Sequence, residues 1–113
     1  MRYSRDQHIR QTLTFLIIRE KGTRVDCGAF ILQCLSTDTG VRRFAAIVSK
    51  RVDTSSVVRN RVKRQFRELF RKHQEALTES VDLVVIARRT ALDHPFSELE
   101  RRFLKGVEKL NDH

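Results

Sequence analysis

The chain of 113 residues holds 23 lysines and arginines against 14 aspartates and glutamates, giving a formal net charge of +9 and a pI near 10.6. That length suits a single domain, 1–113, with one core, and 40% hydrophobic with 33% charged residues excludes a disordered chain. The charge implies an acidic partner, nucleic acid before an anionic membrane, because no apolar run reaches spanning length and tryptophan is absent.

Residues 1–8 are polar and are expected to be flexible. Met1 to Asp6 carries positive charge with no apolar h-region behind it, so no secretory signal is visible and a cytoplasmic location is expected. Cys27 and Cys34 form neither a CxxC nor a zinc-like spacing with histidine, and they read as structural thiols. Ile9, Leu13, Leu16 and Ile17 suit a short amphipathic helix from about Ile9 to Glu20, stopped by Gly22. Phe15 falls on a neighbouring face, where ordinary core packing is the plain reading. Val25 sits in a short leading strand. Ala29 to Ser36 then alternates Phe30, Leu32 and Cys34 with Ile31, Gln33 and Leu35. Turn chemistry at Thr37-Asp38-Thr39-Gly40 leads to a second strand ending near Lys50, and the two strands predict an antiparallel hairpin.

Asp53-Thr54-Ser55-Ser56 offers N-cap residues for the helix that follows. In that helix Val58, Val62, Phe66, Leu69 and Phe70 recur at offsets of three and four, one apolar stripe. Asn60, Lys63, Arg64, Arg67 and Arg71 fall on the opposite face, with Arg59, Arg61 and Lys72 on the flanks. Solvated faces mix signs, whereas here Glu68 is the only acid; arginine dominates, and its planar fork suits phosphate. Lys50, Arg51, Arg59 and Arg61 cluster about the helix start, whose free N–H groups themselves favour an anion.

Val81 to Ala87 is nearly all apolar, as expected for a strand buried on both faces. Arg88-Arg89-Thr90 makes a second cationic point. Either Asp93 or Ser97 suits the cap of a last helix, Ser97 with Glu100 fitting a capping box, and its stripe is Phe96, Leu99, Phe103, Val107 and Leu110. Helix, strands, helix, strand, helix define an α+β fold, three helices on a small sheet.

Nothing in the chain suggests catalysis by the polypeptide. The acids are scattered, His8, His73, His94 and His113 sit in different elements, and no phosphate loop, nucleophile elbow or HExxH motif occurs. No catalytic residue and no metal ligand is therefore expected, and a stand-alone nuclease is disfavoured.

Arg59-Asn60-Arg61-Val62-Lys63-Arg64, followed by Arg67-Glu68-Leu69-Phe70-Arg71, resembles the RNR motif of the bacterial ribonuclease P protein subunit. Ile47 to Arg51 and Asp82 to Arg88 are similar to the strands around that motif, and Phe15, Gly22 and Phe30 stand at family-like spacings. The resemblance implies a four-stranded mixed sheet with three helices and a left-handed βαβ crossover. It also implies a protein that binds the catalytic RNA and the single-stranded 5′ leader of precursor tRNA, promoting endonucleolytic maturation of the tRNA 5′ end. Hydrolysis would belong to the RNA, with Mg²⁺ held mainly there and none firmly by the protein; no obligate protein partner is evident.

Carried over by position, Arg59, Asn60, Arg61, Lys63, Arg64 and Arg67 are the RNR-motif residues facing RNA. Lys50, Arg51, Arg71 and Arg88 are further RNA contacts, while Phe15, Ile31, Gln33, Ile47, Ser49 and Ala87 line a leader cleft. The sequence departs from the family at Arg19 and Gln33, where aromatics are frequent, at Asp53, where glycine or a basic residue is frequent, and at Ala45-Ala46, which replaces a common glycine. A ribosomal-type or RNA-chaperone-like binding protein is the alternative, and the RNR run with its flanking strands is what separates the two.

Overall fold

The apolar run near the C-terminal end becomes one of the two inner strands of the sheet. A computed structural model describes residues 7–10 and 12–112. Its elements are α1 (Thr12–Lys21), β1 (Thr23–Asp26), β2 (Phe30–Ser36), β3 (Arg42–Ile47), α2 (Ser56–His73), β4 (Val81–Ala87) and α3 (Phe96–Asn111). The four strands lie in the order β1-β2-β4-β3. β4 runs antiparallel to β2, with Phe30 opposite Ala87, and parallel to β3, with Ile47 opposite Ile86. The hairpin expected of β2 and β3 is thus replaced by a sheet in which β4 separates them. Strand β3, helix α2 and strand β4 form the parallel βαβ unit. The mixed four-stranded sheet and three helices agree with the expectation.

Alternation along the strands defines two faces. One carries Phe30, Leu32, Phe44, Leu83 and Val85 and is covered by Val62, Phe66, Leu69 and Phe70 of α2 and by Leu99, Phe103 and Val107 of α3. Phe30 meets Phe66 edge-on with centroids 4.9 Å apart, and Phe44 stacks on Phe70 at 4.8 Å. Such pairs add to burial about 0.5–1.5 kcal/mol each. They fix the apolar stripe of α2 to the sheet and leave its other side outward.

The second face is thinner. Ile18 of α1, Ile9, Ala45 and Val84 form its small core, with Phe15, Leu35 and Ile86 at the margin. The expected stripe of α1 is corrected here: Leu13, Leu16 and Ile17 are exposed, and Ile9 lies before the helix. Ile9 instead donates its N–H to the Phe44 carbonyl at 3.0 Å beside a His8–Phe44 bridge. Gln7, also buried, donates to Gln74 at 2.6 Å. Of the segment 1–8 expected to be flexible, Gln7 and His8 are therefore seated, and residues 1–6 lie outside the described residues. The capping box on α3 is also corrected. Ser97 lies inside the first turn, and Pro95 is the N-cap, with no side-chain cap bond.

Gly22 continues the helical bonding of α1, its N–H reaching the Ile18 carbonyl at 2.8 Å. A Cβ there would stand 2.5 Å from the Ile18 oxygen and 2.7 Å from the Cys34 oxygen, and neither backbone atom can yield cheaply. Gly22→Ala is expected to cost about 1–3 kcal/mol in chemical denaturation, the range for overpacking. A stability equal to that of the parent chain would show that α1 can lift from β2 freely.

Candidate nucleic-acid interface

Helix α2 is capped by Ser55, whose Oγ accepts from the Val58 N–H at 3.4 Å, while the Ser55 N–H donates to Asp53 Oδ1 at 2.7 Å. Arg59 Nη1 donates to the carbonyls of Asp53 at 3.0 Å and Thr54 at 2.7 Å. Arg59 therefore braces the connector into α2, a structural duty that the sequence did not announce. Asp53, a departure from the family pattern, acts in the same brace.

Beyond this brace the cations point to solvent. Asn60, Arg61, Arg64 and Arg67 are exposed and Lys63 is half-buried; Val57, Asn60, Lys63, Arg64 and Arg67 border a shallow groove along the helix. Lys50 and Arg51 are exposed in the turn just before the helix, where the Arg51 N–H reaches Ser49 Oγ at 3.3 Å. Among the described residues Lys50, Arg51, Arg61, Lys63 and Arg64 make no ion pair. They form a one-signed surface with its full charge available to a polyanion.

Two of the expected contacts are different. Arg71 is forked onto Glu68, its Nε 2.9 Å from Oε2, and holds that carboxyl below its usual range. Arg88 is forked onto Asp26 at 2.8 Å through both Nη1 and Nη2, and Nη1 also donates to the Gly28 carbonyl at 2.9 Å. Hydrogen bonds from Arg88 and from the Gly28 N–H lower the Asp26 pKa. Arg88 thus ties the end of β4 to the β1–β2 turn and presents no unpaired charge. Arg88→Ala is expected to raise amide exchange in that turn while leaving RNA affinity within about twofold, since exposed ion pairs contribute little. A large drop in affinity with an unchanged turn would assign Arg88 to RNA instead.

The face of the sheet under α1 gives the second half of the site. Pairing sets Asp26, Ile31, Ile86 and Ile47 in one row across it, and Arg24, Gln33, Val84 and Ala45 in the next. Ile31 and Gln33 are buried, Phe15 is half-buried, and Ile47 and Ser49 are exposed, so the row opens toward the end of β3. Ala87 is corrected. It lies opposite Phe30 in the main core, 7% exposed, on the other side of the sheet. Its neighbour Ile86 takes the place expected of it, and strict alternation from Val84 is the signal that identifies Ile86.

Alternation also reveals Arg43 and Asp82 on this face, paired at 2.7 Å and 2.6 Å through both carboxylate oxygens. His8 joins the field of α2. Burial, then the charges of Arg10 and Arg67, lower its pKa and disfavour the charged imidazolium. Among the described residues no three His, Cys, Asp or Glu side chains are placed to hold a metal ion, and no helix is long and apolar enough to cross a membrane.

An outward cationic helix beside a half-open apolar sheet face defines a small α+β domain with a one-signed surface. The family described as Ribonuclease P matches residues 3–111. The ribonuclease P protein component of Desulfatibacillum aliphaticivorans is 34% identical over 108 residues, covering 86% of this chain and 91% of that protein. That of Symbiobacterium thermophilum is 32% identical over 101 residues, covering 89% and 88%. The structure of the Staphylococcus aureus RNase P protein superimposes with a TM-score of 0.81 at 26% identity, over 90% of this chain and 93% of that one. The Thermotoga maritima RNase P protein shares the fold, with a TM-score of 0.80 at 22% identity over 90% and 96%. The chain belongs to the ribonuclease P protein family.

Proposed function

We propose that this protein is the RNA-binding subunit of a ribonuclease P ribonucleoprotein, acting in the cytoplasm on precursor tRNA. The observation that carries the reading is the outer face of α2, whose Arg61, Lys63 and Arg64 have no carboxylate partner among the described residues. Contacts from that face to phosphates are electrostatic and insensitive to sequence, as a subunit serving many tRNA precursors requires. Arg61, Lys63 and Arg64 would engage the catalytic RNA, with Asn60 and Arg67 beside them and Lys50 and Arg51 at the helix start.

The single-stranded 5′ leader would lie along the open row of the sheet, between Phe15 on α1 and Ile47 and Ser49 at the end of β3. Unstacked bases can rest on these apolar faces. Arg19, exposed on α1, offers a charged group in place of a flat aromatic surface, which favours contact with phosphates over stacking, while Gln33 is buried beneath the row. The chain's residues bind and position; hydrolysis belongs to the RNA, where Mg²⁺ supplies charge stabilisation and activates water. Neutralising phosphates at the junction lowers the repulsion opposing both substrate docking and metal binding there.

Cleavage of a precursor tRNA by a bacterial ribonuclease P RNA at low Mg²⁺, with and without this protein, tests the reading. Stimulation is expected only when RNA and protein are both present. RNA binding without stimulation across several catalytic RNAs would leave a general RNA-binding protein; cleavage by purified protein alone would move the chemistry onto the polypeptide.

A further inference from the structure

A recess of about 200 Å³ opens between the end of β1 and α3, with Asp26, Cys27, Arg102, Lys105, Gly106 and Lys109 around it. Two glycines shape it. A Cβ on Gly106 would stand 2.7 Å from both Cys27 Sγ and Leu32 Cδ1, so any larger residue there would have to displace these side chains for α3 to sit this close to the sheet. Gly28, at φ +83°, lies under the Arg102 guanidinium, where a Cβ would come within 2.6 Å of Nη1. Arg102 is held there by its Nε–Glu98 Oε1 bond at 2.9 Å and its Nη1–Cys27 carbonyl bond at 3.2 Å.

The carboxylates around this recess are already occupied. Glu98 takes Arg101 through Nε at 3.0 Å and Nη2 at 2.6 Å as well as Arg102, and those arginines hold its pKa down to about 2. Asp26 takes the fork of Arg88. On the side of α3 toward α2, Glu100 takes Lys72 at 2.9 Å and His73 at 2.8 Å. Lys105 and Lys109, one helical turn apart at the recess, have no carboxylate partner among the described residues. Glu98 and Glu100 are thus spent on other cations, and Lys105 and Lys109 stand at the recess without an ion pair among the described residues.

We propose that this recess is a second phosphate-binding site for RNA, engaging a backbone segment other than the one on α2. Position supports the separation: α3 lies against β1 and α2 against β3, the two edge strands of the sheet. Chemistry supports phosphate over an acidic protein. An ammonium is a point charge that takes a phosphate from many directions, and the recess offers no aromatic anchor of the kind that dominates protein interfaces. The protein then clamps two RNA segments across the width of its sheet. This inference rests on the reading that the chain binds ribonuclease P RNA.

The test is Lys105→Ala with Lys109→Ala in the full chain, measuring affinity for a bacterial ribonuclease P RNA from low to moderate salt. The expected result is an unchanged thermal midpoint and a salt dependence of log K shallower by about 0.7–0.9 for each phosphate no longer neutralised. An affinity and slope equal to those of the parent protein would overturn the site while leaving the parent's stimulation of tRNA cleavage, and hence its proposed function, intact. Unchanged RNA binding with abolished binding of a poly-glutamate peptide would overturn it in favour of an acidic protein partner. If the parent protein fails to bind the RNA, both readings fall together.

Discussion

Arg61→Ala combined with Arg64→Ala is expected to weaken binding to a bacterial ribonuclease P RNA on the order of a hundredfold at moderate salt, with the thermal midpoint unchanged. Both side chains are exposed and unpaired among the described residues, so removing them strands no partner. Alanine is also the best helix former, and surface substitutions of this kind usually stay within about 0.5 kcal/mol. On the RNA side each arginine offers a charge-assisted bond to phosphate, roughly 1.5–3 kcal/mol. Two such bonds at the low end amount to about a hundredfold, since each 1.4 kcal/mol is about tenfold. The salt slope should fall as well, which separates missing phosphate bonds from a general weakening. Parallel drops in midpoint and affinity would instead make these arginines structural. Full binding by the double variant would remove α2 from the interface.

The second large effect concerns stability. Asp82 is 2% exposed in the inner strand β4, and both of its carboxylate oxygens are taken by Arg43, its register partner on β3. Arg43→Ala leaves a buried carboxylate without its counter-charge. The expected cost is about 3–5 kcal/mol, because breaking one side of a buried pair forfeits attraction while the desolvation remains. A chain of this size should then melt on the order of 15 °C lower. Replacing both partners, Arg43→Met with Asp82→Leu, should recover much of that stability, as paired apolar replacement commonly does. An Arg43→Ala variant that melts like the parent would mean that water reaches Asp82 as soon as the arginine is gone. Affinity for the catalytic RNA measured well below the melting range should change little in either variant, since the pair lies on the sheet face under α1 and away from the outward face of α2.

The contrast between these two arginines shows what the sequence reveals and what it withholds. The stripe of α2 was legible because a single strongly charged side leaves only one way for Val62, Phe66, Leu69 and Phe70 to face a core. Helix α1 has apolar residues on several sides, and periodicity cannot say that Ile18 will be buried while Leu13, Leu16 and Ile17 stay exposed. Its outer side has no covering element among the described residues, a fact of tertiary structure. The β2–β3 hairpin reading used sound local turn chemistry, but the turn fixes only the reversal of direction and not adjacency. The nearly all-apolar character of Val81–Ala87, broken only by Asp82, already signalled a strand with neighbours on both sides. Of the cations, the Glu68–Arg71 pairing was readable at its i,i+3 spacing. The capture of Arg88 by Asp26 joins distant strands and required the fold.

The inner position of β4 also orders events during synthesis. Strands β1 and β2 can pair with each other early, yet β3 has no neighbouring strand within the sheet until β4 has been made. Most of the sheet's bonding therefore joins sequence-distant segments, a topology associated with slow closure and prolonged exposure of strand edges. On the ribosome, the nascent chain must carry Phe30, Phe44 and the finished cationic helix without a closed sheet until Val81–Ala87 leaves the exit tunnel. Ribosomes stalled before that point should display a protease-sensitive chain, and release of the last strand should confer resistance in one step.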